Sequence, residues 1–105
     1  MIFRRRRFTD VIERQLDLFA EDQERDMFAE ARERKALYDR ADRDSSEELY
    51  GDYVDALETA TEALADMRDR FKQTLAEDAA EEYEQEFNRA VKKRWPVFGL
   101  EIDLR

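Results

Sequence analysis

The chain has 105 residues, 28 acids against 19 bases, and a formal net charge of −9, with two glycines, one proline, no cysteine and no histidine. The length is that of one domain, 1–105; the missing cysteines exclude disulfides and thiolate metal sites, and the missing histidines remove the commonest general base and nitrogen ligand. So few turn formers predict an all-α fold, and the large apolar residues recur at helical spacing, which argues against disorder although 45% of residues are charged.

In chain order, residues 1–8 form a basic arm, with Arg4, Arg5, Arg6 and Arg7 set between aromatics. Asp10, Glu13 and Arg14 stand where a secretory signal would place its apolar region. No run of about 18 apolar residues suggests a transmembrane helix, so a cytoplasmic protein is expected. Thr9 is the predicted N-cap of a first helix, about 9–21, with Val11, Ile12, Leu16 and Phe19 on its apolar face. Glu21 to Asp26 interrupts the pattern, and a second helix, about 25–42, resumes it with Met27, Phe28, Ala31, Leu37, Tyr38 and Ala41.

Ser45 and Glu48 have the spacing of a capping box, and a third helix is predicted over 46–76. Its seam is Tyr50, Leu57, Leu64 and Phe71 with Tyr53, Ala60 and Met67, flanked by Val54, Thr61 and Arg68. Gly51, inside this helix, either admits a close neighbour or relaxes the first turn. Asp78 with Glu81 predicts a second capped start and a last helix over 79–94, with Tyr83, Phe87, Ala90 and Val91 inward. Acids gather early and bases late in both helices, which complements the helix dipole. Pro96 disfavours helical geometry at Trp95 and should end the last helix. Beyond it, Phe98, Leu100, Ile102 and Leu104 alternate with Gly99, Glu101, Asp103 and Arg105, a period of two that predicts an extended tail over 96–105. The expected architecture is a three- or four-helix bundle with that tail.

Chemistry finds little support. Glu30 and Glu33, with Asp52 and Asp55, have the i,i+3 spacing by which all-α phosphohydrolases hold Mg²⁺ from facing helices. In a chain this acidic such pairs also arise on any solvated face, so no catalytic, metal or cofactor residue is assigned. Glu-x-x-His di-iron ligation is excluded without histidine. No P-loop or dinucleotide fingerprint is present, and the Asp42–Asp44 loop lacks EF-hand glycine and glutamate positions. Glu48, Asp52, Asp55, Glu62, Asp66 and Asp69 form an acidic stripe expected to face solvent or a basic partner.

The candidate partner-binding residues are Arg4, Arg5, Arg6 and Arg7 together with Trp95 and Phe98. Subtracting the four arginine charges from −9 leaves the rest at −13. An arm on so acidic a body would meet repulsion at nucleic acid or an anionic membrane. The arginines fit better against the protein's own acids, within one chain or between two, for example by antiparallel pairing of Ile2–Phe8 with Phe98–Leu104. The expected function is a non-enzymatic interaction or scaffold protein that forms a homodimer. The alternatives are an anion binder acting through Arg4–Arg7 and a Mg²⁺-dependent phosphohydrolase.

Overall fold

Helix-favouring composition is realised along nearly all of the chain in a computed structural model that describes residues 7–23 and 27–105. The helices are α1 (Thr9–Gln23), α2 (Ala29–Asp39), α3 (Ser46–Lys72), α4 (Glu77–Arg94) and α5 (Gly99–Leu104), with a 3₁₀ turn at Pro96–Phe98 between the last two. Among the described residues there is no strand, and no helix is long and apolar enough to cross a membrane.

The 27 residues of α3 span about 40 Å at 1.5 Å per residue, and the other elements arrange themselves along it. The second half of α3 joins α1, α4 and α5 in the core, where Ile12, Leu16 and Phe19 meet Ala60, Leu64, Tyr83, Phe87, Val91 and Ile102. Helix α1 runs parallel to α4: Arg7 reaches Glu82, Phe8 reaches Glu86 and Asp17 reaches Arg94. Helix α2 packs chiefly on the first half of α3. Ala31 is its one fully buried side chain, and every buried residue of α3 lies between Ala60 and Arg68. The α2–α3 pair is therefore a hairpin projecting beyond the core. The radius of gyration, 16.1 Å, reflects this, since a rounded chain of this length gives about 13 Å.

The apolar faces of α1 and α4 fall where the spacing puts them. Four features differ from the sequence expectation, each for a local reason. First, the tail is not extended. Phe98 and Ile102 are two members of the alternating set, but they are also four residues apart, so in a helix they share a face. Both are buried (2% and 0% exposed), while Leu104 turns to solvent at 78%. Second, none of the predicted caps forms. Thr9 is the first helical residue, and the Phe8 carbonyl accepts the Ile12 amide. The Ser45 side chain does not cap α3; instead its hydroxyl and amide both donate to Asp42 Oδ1, at 2.8 and 3.0 Å. These bonds, with a further one from the Asp44 amide, hold the Asp42 carboxyl below the usual carboxylate range. Helix α4 starts at Glu77 behind an extended Ala76, so Asp78 lies inside its first turn.

Third, the helix limits shift. Helix α2 ends at Asp39 rather than at 42, its expected start at 25 lying outside the described residues, and α3 stops at Lys72, where the turn over 73–76 begins. Fourth, the buried stripe of α3 is rotated from its expected seam: Thr61 and Arg68 sit at its centre, while Leu57, Met67 and Phe71 are only partly covered. The Thr61 hydroxyl is satisfied by donating to the Leu57 carbonyl at 2.7 Å.

Pro96 acts as expected. Trp95 takes φ −135°, ψ 80°, and α4 ends at Arg94. The redirected chain packs Trp95 and Phe98 against Phe28, at ring-centroid distances of 4.9 and 5.1 Å. Phe19 closes the cluster at 5.5 Å from Phe28. This aromatic knot fixes the junction from which the α2–α3 hairpin departs.

Candidate functional site

The hairpin presents two unlike faces. On one side Glu30 and Arg34 of α2 face Asp52, Asp55 and Thr59 of α3 across a groove of about 330 Å³. Three of the four acids singled out for Mg²⁺ are thus brought together, while Glu33 is exposed and lies outside the groove. The same groove contains the Arg34 cation, 3.6 Å from Glu30. Among the described residues no group of three or more Asp, Glu, His or Cys side chains is placed to hold a metal ion. Helical spacing puts Glu30 on the groove side and carries Glu33 around the helix from it, which the i,i+3 motif alone does not reveal.

On the other side Ala31, Arg32 and Lys35 of α2 meet Tyr53 and Leu57 of α3 and Val97 of the 3₁₀ turn, around a largely apolar groove of about 270 Å³. Tyr50 continues this strip toward the hairpin loop, with its ring 5.1 Å from Tyr38. Tyr50 and Val97 are 51% and 53% exposed. Lys35 donates to both carboxylate oxygens of Asp39, at 2.7 and 2.8 Å, and this bond raises the ammonium above its ordinary pKa.

The candidate partner-binding residues separate. Arg4, Arg5 and Arg6 lie outside the described residues. Arg7 stays on its own chain, 3.6 Å from Glu82 with its guanidinium 5.2 Å from the Phe8 ring. Phe98 is buried, and Trp95 is half-buried in the aromatic knot with Arg94 stacked on it at 5.0 Å. The acids expected to meet the arginines from the tail have other partners: Glu101 pairs with Arg105, and Asp103 with Lys92. A helical Phe98–Leu104 also offers no strand edge for the expected antiparallel pairing of the two tails, whose other partner, from Ile2 to Arg6, lies outside the described residues. The acidic stripe of α3 divides as well. Asp52 and Asp55 line the acidic groove, Asp66 faces a second groove with Leu18 and Met67, and Asp69 accepts from the buried Arg68.

Two structurally decisive charges were not legible in the sequence. Glu86 is buried and accepts the Phe8 amide at 3.2 Å. Arg68 is 1% exposed and reaches α5. Their positions beside Phe87 and Leu64 were the available signal, since a long side chain on the edge of an apolar stripe can turn inward when a partner waits there. No protein-family model, curated protein or solved structure matches the chain.

Proposed function

We propose that the chain is a non-catalytic interaction protein that works by self-association, with the α2–α3 hairpin as its assembly element. The observation that carries this reading is the first half of α3. Over Ser46–Thr59 it holds Leu49, Tyr50, Tyr53, Val54 and Leu57, yet none of them is fully buried within the chain. The 11-residue α2 and the projecting first half of α3 gain little from each other alone, because helical stability in water comes mostly from tertiary burial of the apolar face. A second pair of helices would complete a four-helix arrangement. Light scattering over a concentration series, at low and high salt, tests the reading: a mass that stays monomeric throughout removes it.

The groove shared by Glu30, Asp52 and Asp55 supports a second reading, divalent-cation binding for phosphohydrolysis. Arg34 counts against it, because a cation placed among carboxylates competes with the metal. Calorimetric titration with Mg²⁺ decides the point: this reading requires saturable binding that Asp52→Ala abolishes.

A further inference from the structure

We infer that residues 29–59, which are α2 and the first half of α3, form a unit that opens while the core stays folded, and that Phe28 is the latch that holds it closed. The unit is defined within one chain and holds whether or not the protein self-associates.

Burial divides at the two ends of the span. Phe28 and Ala60 are buried, at 4% and 0% exposed, whereas Ala31 alone is fully buried among the residues between them. An alanine brings little apolar area, and Met27 and Leu57 add only partial cover. The polar bonds follow the same division. Glu30 with Arg34, Lys35 with Asp39, Ser45 with Asp42 and Ser46 with the Arg43 carbonyl all close inside the span. In the core, Tyr83 reaches Gln15, Lys72 reaches Glu84, and Arg68 reaches Asn88 and Ile102, so each of these bonds ties one element to another.

Local helix energetics weaken the span further. Helix α2 has 11 residues, below the length at which an isolated helix holds in water. In α3, Glu48, Asp52, Asp55 and Glu58 follow one another at three- and four-residue steps, with no base between Asp44 and Met67, so like charges repel along the helix, and Gly51 lowers its propensity. Against this stands Phe28. Its ring lies 4.9 Å from Trp95, 5.1 Å from Phe98 and 5.5 Å from Phe19. All three lie outside the span, so Phe28 fastens the start of α2 to the core through one large buried side chain. A segment with so little burial and such local bonding opens at a lower free energy than the core it stands on.

Native-state hydrogen exchange of the full chain, resolved by residue, tests this at the dilute end of the concentration series, where its failure is distinct from that of self-association. Amides over 33–39 and 50–59 should share one opening equilibrium. Relative to the unfolded chain they should exchange at least about a hundredfold faster than those of Leu64, Phe87 and Val91. Ile102→Val, a mild change in the core, should speed the core set by about two- to tenfold. It should leave the hairpin set unchanged, because opening the hairpin leaves residue 102 covered. Phe28→Leu keeps an apolar side chain but loses the ring contacts, and should speed the hairpin set by about three- to tenfold. Equal protection in the two sets, or a hairpin set that Ile102→Val speeds as much as the core, overturns the separate unit. A hairpin set that Phe28→Leu leaves unchanged overturns the latch.

Discussion

The Arg68 guanidinium, buried in α3, donates from Nη1 to the carbonyl oxygen of Ile102 at 3.3 Å and so ties α3 to α5. From the same fork Nη2 donates to the Arg105 carbonyl at 2.8 Å, Nη1 to Asn88 Oδ1 at 2.9 Å and Nε to Asp69 Oδ1 at 2.9 Å. A six-residue helix leaves most of its carbonyls without intrahelical donors, and Arg68 reaches two at its C-terminal end from a neighbouring element: Ile102, whose carbonyl also accepts the Arg105 amide, and Arg105 itself. Arg68→Met keeps much of the volume but removes the donor that joins Asn88, Ile102 and Arg105 to α3. The expected loss is about 3 kcal/mol, from several hydrogen bonds to a charged donor and their desolvated partners, or roughly 12–24 °C in melting temperature for a chain of this size. Arg68→Lys keeps the charge but not the planar fork, and should recover only part of it. Thermal unfolding followed by circular dichroism measures both.

The helical tail makes a prediction that an extended tail reverses. In a strand Ile102 and Leu104 would share the buried face, and truncating either would cost alike. In α5 they diverge, with Ile102 fully buried and Leu104 in solvent. Ile102→Ala should therefore cost about 2–5 kcal/mol, and Leu104→Ala no more than about 0.5 kcal/mol. Chemical denaturation of the two variants separates the outcomes.

This tail shows where sequence pattern stops being informative. A six-residue segment is too short for period two and period 3.6 to be told apart, because every second alternation is also an i,i+4 step. Over longer segments the period is unambiguous, which is why the apolar faces of α1 and α4 were legible. The α3 pattern runs longer still, yet its buried stripe was read one row off. Thr61 and Arg68 looked like flanking polar residues, and only the positions of Asn88 and the α5 carbonyls make a buried arginine affordable there. The caps failed for a related reason. Ser45–Glu48 is a spacing, and a carboxylate three residues upstream, Asp42, captured the serine first. The site was partly legible: Glu30, Asp52 and Asp55 do share a groove, but the cation that enters it is Arg34, which the acid-only motif ignores.

Tyr83 gives the fold a marker at high pH. Burial pushes its phenol up to about 12, and its hydroxyl donates to Gln15 Oε1 at 2.8 Å. The folded pKa lies above the unfolded value of about 10. The folded chain therefore binds more protons between them, and stability should be fully present below about pH 10 and fall as pH rises toward 12. Tyr83→Phe should remove one tyrosinate absorbance step near pH 12 and flatten that decline. Losing the hydrogen bond should cost about 1 kcal/mol at neutral pH. Ultraviolet titration and pH-dependent denaturation test the two parts separately.

Gly51 is a place to gain stability. It lies within α3, and a methyl group built on its α-carbon would meet no atom within 4 Å. Its backbone φ is not positive. Of the two roles open to it in the sequence, admitting a close neighbour finds none among the described residues. Gly51→Ala should stabilise the chain by about 0.5–1 kcal/mol through helix propensity and a less flexible unfolded state, read as a higher denaturation midpoint at unchanged slope.

Glu86 governs the entry to α1. The Phe8 amide stands at the start of that helix, where no intrahelical acceptor exists, and it donates to Glu86 Oε1 from a buried position. The Phe8 ring meanwhile packs edge-on against Tyr83 at 5.5 Å, so bond and ring together hold α1 in parallel register on α4. Glu86→Ala would leave the amide buried without an acceptor, a cost of about 1–3 kcal/mol. Glu86→Gln keeps an oxygen in place and loses only the charge assistance, so it should cost less than half as much. Native-state hydrogen exchange separates a local effect from a global one. Because the Ile12 amide bonds to the Phe8 carbonyl, Glu86→Ala should speed exchange at Ile12 more than at Val91 in the middle of the core. Equal acceleration at both would mean that Glu86 supports the whole core rather than the start of α1.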